Sequence, residues 1–165
     1  MEVETRANDH RLGRRIPDLG RLQLSGRLPA GAYMAADHNN GLESDWSGYH
    51  WLRFEVDNAS GQVQKLVITI DDDKSEGYWS RVNWYSMVGP GRSTIQVPLQ
   101  VSVGEKAVIG ERRRLDVRKV RKLVLSALEA TSPLLISRVR LSPEPAYTYD
   151  FPKFIKIDAG PLWRR

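Results

Sequence analysis

The chain has 165 residues, which is the size of one domain with a hydrophobic core of its own. It contains no cysteine, which excludes disulfides, thiol nucleophiles and cysteine-based zinc sites. Residues 37–83 hold nine acidic and four basic residues, whereas residues 105–122 hold three acidic and eight basic ones. Because the acidic part offsets the basic part, we expect no nucleic acid partner, and the lack of an apolar run of about 18 residues predicts no membrane insertion.

The elements that the pattern predicts are strands, because apolar and polar residues alternate and no useful stretch has a helical period. The clearest example lies at 49–57, where Leu52, Phe54 and Val56 share one face. Clusters such as Gly89-Pro90-Gly91 mark the turns between strands. Residues 115–120 are typical of one helical turn capped by Asp116. In chain order, the predicted strands cover residues 32–36, 49–57, 65–71, 80–88, 94–99, 122–128 and 134–141.

This series of short strands predicts an all-β fold, with the strands packed as an antiparallel β-sandwich. The sandwich domain is predicted over residues 21–145. The polar, arginine-rich residues 1–20 are predicted to form a mobile N-terminal segment, and residues 146–165 a C-terminal extension or the start of a following domain.

The connections between the predicted strands differ in length. If successive strands run antiparallel, the long connections all fall at one end of the sandwich, and long loops on a rigid scaffold commonly carry binding sites. The long connections are 37–48, 72–79 and 100–120, and the short turns at the other end are 58–64, 89–92 and 129–132.

Residues 71–85 hold the richest mixture of aromatic and polar side chains. Sugars are bound by aromatic faces together with carboxylate, amide and guanidinium groups that hydrogen-bond to hydroxyls. We therefore predict a ligand site in which aromatic rings stack and polar groups hydrogen-bond, formed by Tyr78, Trp79, Asp72, Arg81 and Asn83. Two structural alternatives stay open: Trp84 packs in the core beside Val82, and Asp71 pairs with Arg81 as a structural ion pair.

The three adjacent aspartates at 71–73, with Glu76, are a candidate for structural Ca²⁺, which prefers several oxygen ligands. Adjacent strand residues point to opposite faces, so the main expectation is that no cofactor is bound. No nucleophile elbow, phosphate loop or zinc-protease motif is present, so we expect no catalytic residues and no enzyme activity. The basic residues at 112–114 and 118–122 are expected to be solvated, with an anionic partner such as an acidic polysaccharide as the alternative.

One segment of the chain resembles a known family. Asp45-Trp46-Ser47-Gly48-Tyr49 followed by Leu52-Arg53-Phe54-Glu55-Val56-Asp57-Asn58 is similar to the D-[LW]-S-G-Y…L-x-F-x-V-x-N segment of galactose-binding-like carbohydrate-binding modules, which are appended to agarases and other bacterial glycoside hydrolases. The similarity extends over about residues 31–142. Its further matches, in order, are Ile70-Asp71-Asp72, Tyr78-x-x-Arg81-x-Asn83, Pro90-Gly91, Thr94-Ile95, Val97-Pro98-Leu99, Leu115-Asp116, Val120-x-x-Leu123 and Ile136-x-x-Val139-Arg140-Leu141.

The resemblance implies a jelly roll, a carbohydrate ligand and a longer parent protein that is extracellular, periplasmic or attached to the cell surface. The leading hypothesis is therefore a non-catalytic carbohydrate-binding module, with carbohydrate and the neighbouring domains of the parent as partners. The alternative is a structural or interaction domain that packs against a neighbouring domain without binding sugar. A third hypothesis, an enzyme in its own right, requires two carboxylates or a metal site facing one cleft.

Overall fold

The computed structural model of the chain describes residues 16–99 and 114–144. Within these ranges eight strands form two antiparallel four-stranded sheets, with strand order β1-β8-β3-β6 in the first sheet and β2-β7-β4-β5 in the second. The order is that of a jelly roll, and it confirms the predicted all-β sandwich. The strands are β1 Gly26–Leu28, β2 Tyr33–Asp37, β3 Trp51–Asn58, β4 Gln64–Asp72, β5 Val82–Val88, β6 Gly91–Pro98, β7 Val120–Ser126 and β8 Leu134–Ser142.

The core lies between the two sheets and is built from the inward-facing half of each strand. In β3, burial alternates strictly along the strand, and Leu52, Phe54 and Val56 are fully buried. Apolar side chains from both inner faces pack there, which is how an aligned sandwich removes its apolar surface from water. Trp84 also points inward and packs against this core, as the alternation in β5 predicts.

Two local features differ from the sequence prediction. β1 has only three residues, which are too few for an alternating pattern to predict the strand. Residues 115–120 form a hydrogen-bonded turn and not a helical turn, with the amide of Lys119 donating to the Asp116 carbonyl at 3.0 Å. Asp116 does cap this turn, because its Oδ1 accepts a hydrogen bond from the Arg118 amide at 3.1 Å.

The described fold includes residues 16–20, which belong to the predicted N-terminal segment. Leu19 is buried in the core, and Asp18 forms an isolated bridge with Arg140 of β8. Residues 1–15, the basic residues 112–113 and the C-terminal extension 146–165 lie outside the described residues, so the predictions made for them stay predictions. In the part of the chain that is described, no helix has the length and apolar character needed to cross a membrane.

Candidate functional site

The long connections meet at one end of the sandwich, as the antiparallel order predicts. The amide of Trp46, between β2 and β3, donates to the carbonyl of Val117, before β7, at 2.6 Å. The amide of Asp73, between β4 and β5, donates to the carbonyl of Lys119 at 3.1 Å. These bonds join the described parts of the three connections into one surface.

Asp72 holds this surface to the sandwich. It is the last residue of β4, points inward and is 0% exposed. Its Oδ1 accepts hydrogen bonds from the Lys74 amide at 3.0 Å and the Ser75 hydroxyl at 3.1 Å, and its Oδ2 accepts one from the Asp116 amide at 2.9 Å. The carboxylate therefore ties the β4–β5 connection to the segment before β7, and its oxygens face protein donors.

The three adjacent aspartates do not converge on one point. Asp71 points outward from β4 and Asp72 inward, while Asp73 lies beyond the strand and pairs with Lys119 Nζ at 3.2 Å. Among the described residues, no group of three or more histidine, aspartate or glutamate side chains could hold a metal ion. The calcium site stays a prediction, and the geometry of these three side chains gives it no support.

An aromatic cluster lies within the β4–β5 connection, where a short 3-10 helix spans Tyr78–Ser80. The Tyr78 hydroxyl hydrogen-bonds to the Tyr85 hydroxyl on β5. The Trp79 ring stands edge-on to the Tyr78 ring, with centroids 4.9 Å apart, and Trp79 is 57% exposed. These rings present apolar surface to solvent next to the second sheet, which is the arrangement that stacking on a sugar requires.

The predicted hydrogen-bonding residues Arg81 and Asn83 belong to the same cluster. Arg81 Nε donates to Asn83 Oδ1 at 3.1 Å, and its guanidinium carbon lies 5.5 Å from the centre of the Tyr78 ring. Asn83 Nδ2 donates to the Tyr78 carbonyl at 2.8 Å. The structure thus brings together four of the five predicted site residues, with Asp72 the exception. Of the two alternatives, the structural ion pair is not formed, because no ion pair within 4.0 Å joins Asp71 to Arg81 in the described ranges.

The outer face of the second sheet carries three rows of side chains, which we call the trough. The rows follow from the register, in which β2 pairs with β7, β7 with β4 and β4 with β5. Because directly opposed residues in a sheet point to the same face, each row runs across the strands. The rows are Tyr33, Ser126, Val67 and Tyr85; then Ala35, Val124, Thr69 and Asn83; then Asp37, Lys122 and Asp71.

Small side chains form the floor of the trough at its middle. Thr69 and Ser126 point away from the core, yet they are only 5% and 8% exposed. On the two edge strands, Tyr33 and Tyr85 stand higher and are 64% and 39% exposed. The Ser126 Oγ is buried and has no hydrogen-bond partner among the described residues, so the floor holds a polar group whose hydrogen-bonding capacity is unused.

Asp71 lies at the charged end of the trough. Its Oδ1 is buried and has no hydrogen-bond partner within residues 16–99 and 114–144. Burial raises the pKa of the Asp71 carboxyl above its ordinary value, while the nearby charges of Arg81 and Lys122 act to lower it. The residue lines a cleft of about 220 Å³ together with Asp37, His38, Asp72, Ser75, Arg121 and Lys122.

Three residues of the trough are not predicted as site residues from the sequence: Tyr33, Ser126 and Asp71. Asp71 and Asp72 are equivalent by composition, and only the phase of β4 decides that Asp71 faces outward. Tyr33 and Ser126 come into one row because β2 pairs with β7, and this pairing joins segments some ninety residues apart. The alternation in β7 could have placed Ser126 on an outer face, but not beside Tyr33.

Comparisons with known proteins support the fold. No protein-family model and no curated protein sequence matches the chain. Among solved structures, the agarase AgWH50C is similar with a TM-score of 0.51 and 17% identity, over 69% of this chain and 19% of the agarase chain. A family 11 carbohydrate-binding module from Clostridium thermocellum, in complex with a β-1,3-1,4-mixed-linked tetrasaccharide, has a TM-score of 0.48 and 12% identity, over 72% of this chain and 71% of its own. The similarity to the agarase shows the fold, and the expected jelly-roll sandwich is confirmed.

Proposed function

We propose that the chain is a non-catalytic carbohydrate-binding module that binds a polysaccharide or oligosaccharide in the trough. The observation that carries the proposal is the combination of exposed tyrosines at the edges with unpartnered polar atoms on the floor. Tyr33 offers a ring face for the C–H surface of sugars, and Tyr85 offers the ring face opposite Lys65 Nζ, which lies 4.9 Å from its ring centre. Ser126 Oγ and Asp71 Oδ1 offer hydrogen-bonding atoms for sugar hydroxyls.

The width of the trough suits a short stretch of a saccharide chain. Tyr33 and Tyr85 lie on the outer strands of the four-stranded sheet, so three inter-strand spacings separate them. At about 4.8 Å per spacing, the separation is about 14 Å, which is the length of a few sugar rings. The small residues between them leave this span open for a ligand that crosses the strands.

The predicted loop cluster extends the trough at the β5 edge. Tyr78 is joined to Tyr85 by their hydroxyls, and Trp79 projects beyond them. We assign stacking to Tyr78 and Trp79, as the sequence suggested, and a hydrogen-bonding role to Arg81 and Asn83. In this proposal Asp71 replaces Asp72 as the carboxylate that faces the ligand, because Asp72 is buried by its own hydrogen bonds.

Carbohydrate binding is tested by glycan arrays and by affinity electrophoresis of the full chain in gels containing agarose, mixed-linked β-1,3-1,4-glucan or acidic polysaccharides. We expect retardation in at least one gel. Tyr33→Ala and Tyr85→Ala should each weaken binding about twofold to tenfold, since an aromatic contact contributes about 0.5–1.5 kcal/mol. Leu135→Ala is the matched control, because Leu135 is also exposed but lies on the outer face of the first sheet.

Two results would contradict the proposal. One is the absence of binding to every glycan tested while the chain remains folded. The other is binding that the tyrosine variants leave unchanged, which would move the site away from the trough. The longer parent protein and its extracellular location are part of the same proposal, and the full-length gene would test them.

A second candidate function, a domain that packs against a neighbour, is favoured by two atoms on the first sheet. In the part of the chain that the structure describes, Trp51 Nε1 and Arg53 Nε are buried without a hydrogen-bond partner, although both side chains lie on the outer face of β3. Hydrogen-bond acceptors on another domain would satisfy these donors. Proteolytic removal of residues 147–163 tests whether the C-terminal extension packs on this face. An unchanged melting temperature would show that it does not.

A further inference from the structure

The charged end of the trough carries three cationic side chains close together. Lys122 lies in the third row, Arg121 precedes it on β7, and Arg81 precedes β5. The charges of all three act on the carboxyl of Asp71. Arg121 and Lys122 also line the 220 Å³ cleft. Arg121 and Lys122 therefore form a cationic rim on a cleft that also contains three aspartates, at one end of the surface to which we assign sugar binding.

Two of these cations are free to take a partner. Arg121 and Lys122 are exposed, and within the described residues neither has a carboxylate within 4.0 Å. Other lysines near the trough differ: Lys65 pairs with Glu129 at 2.9 Å, and Lys119 with Asp73 at 3.2 Å. An exposed cation without a counter-ion can bind an anionic group without first breaking an ion pair.

The carboxylates of the cleft are less available than the cations. Asp37 Oδ1 accepts hydrogen bonds from the amides of Asn39 and Asn40, at 2.9 and 3.3 Å, and so caps a short 3-10 helix. Asp72 is buried and bonded to protein donors. Asp71 faces the trough in the same row as Asp37, and the charges of Arg81, Lys122 and Arg121 all act on its carboxyl. An anion that approaches from solvent meets the exposed cationic groups first.

From this arrangement we propose that the trough selects saccharides that carry an anionic group, either a uronate carboxylate or a sulfate ester, with Arg121 and Lys122 as its main contacts. The inference rests on the proposed carbohydrate-binding function and adds the charge class of the ligand. Arginine suits both groups, because its planar guanidinium can donate two parallel hydrogen bonds to a carboxylate or a sulfate. The tyrosine edges would hold the sugar rings while the cationic rim holds the charge.

The test compares polysaccharides that share a backbone and differ in charge. Polygalacturonate is compared with its methyl ester, and dextran sulfate with dextran, by affinity electrophoresis and isothermal titration at about 0.05 and 0.5 M salt. We expect the charged form of at least one pair to bind at least tenfold more tightly at low salt, and salt to weaken that binding strongly. The pair that responds distinguishes a carboxylate ligand from a sulfate ester.

Variants separate the cleft from the general positive charge of the protein. Arg121→Gln combined with Lys122→Gln should weaken binding of the charged form about tenfold. The control combines Arg27→Gln with Arg92→Gln, which removes the same net charge from exposed positions of the first sheet. Circular dichroism confirms that both variants are folded.

Three results would overturn the inference. Equal binding of charged and neutral forms would do so, and so would an equal loss of binding in the two double variants, which indicates non-specific attraction. In both cases carbohydrate binding that depends on Tyr33 and Tyr85 would leave the proposed function standing. The third is no binding to any polysaccharide, and only this result removes the proposed function as well.

Discussion

Replacing the buried Asp72 separates a structural role from a ligand-binding role. Asp72→Asn keeps the size of the side chain but exchanges one acceptor oxygen for an NH₂ group. The two oxygens of Asp72 accept from the Lys74 amide, the Ser75 hydroxyl and the Asp116 amide. In either orientation of the new amide, its nitrogen faces an N–H group, so at least one partly buried donor is left without an acceptor.

The magnitude follows from the cost of such a group. An unsatisfied buried polar group costs about 1–3 kcal/mol, and hydrogen bonds to a charged acceptor are stronger than neutral ones. We therefore expect Asp72→Asn to lower the free energy of unfolding by about 2–4 kcal/mol. For a chain of this size, that corresponds to a fall in melting temperature of about 5–15 °C.

The assay is urea and thermal denaturation followed by circular dichroism. The matched control is Asp73→Asn, which removes the neighbouring charge from an exposed position whose ion pair with Lys119 is on the surface. We expect the control to change stability by less than about 0.5 kcal/mol. If Asp72→Asn is as stable as Asp73→Asn, the hydrogen bonds assigned to Asp72 do not hold the loops together. If it is stable and loses glycan binding, Asp72 faces the ligand, as the sequence had suggested.

Further predictions concern Asp71 and Gln64. The folded state raises the pKa of Asp71, so folding disfavours the ionised form of this side chain. The contribution of Asp71 to stability is therefore fully present below the ordinary aspartate pKa, and it is lost as the pH rises through the raised value. Asp71→Asn should therefore stabilise the chain at neutral pH, and the gain should vanish in acid. Urea titrations across the pH range would contradict this by showing a constant difference. Gln64 is buried, and its Oε1 accepts from the amides of Thr131 at 2.8 Å and Ser132 at 3.3 Å. Gln64→Leu should cost about 1–3 kcal/mol in thermal denaturation, and a loss below about 0.5 kcal/mol would show that water replaces these bonds.

Much of the sandwich could be predicted from the sequence because alternation is a local property. Leu52, Phe54 and Val56 define the inward face of β3 from their own spacing. The turn at Gly89-Pro90-Gly91 is local in the same sense, and Gly91 has the positive φ of 86° that favours glycine. The three-residue β1 lies below the length at which alternation is visible.

The candidate site could be predicted only in part, because the trough depends on which strands become neighbours. Tyr78, Arg81 and Asn83 lie within six residues of one another, so the sequence itself places them together. Tyr33 and Ser126 become neighbours only through the pairing of β2 with β7. The choice between Asp71 and Asp72 depends on the phase of β4 at its last residues, where the register with β7 shifts between them.

The edges and the floor of the trough belong to strands with different numbers of hydrogen-bonded neighbours. The floor residues Thr69 and Ser126 belong to β4 and β7, each of which has a hydrogen-bonded strand on both sides. Tyr33 and Tyr85 belong to β2 and β5, which have one such neighbour each in the described sheet. Strands with a single neighbour open locally at a lower free energy than central strands. For the proposed function, this difference predicts a floor that keeps its shape and edges that adjust to glycans of different thickness.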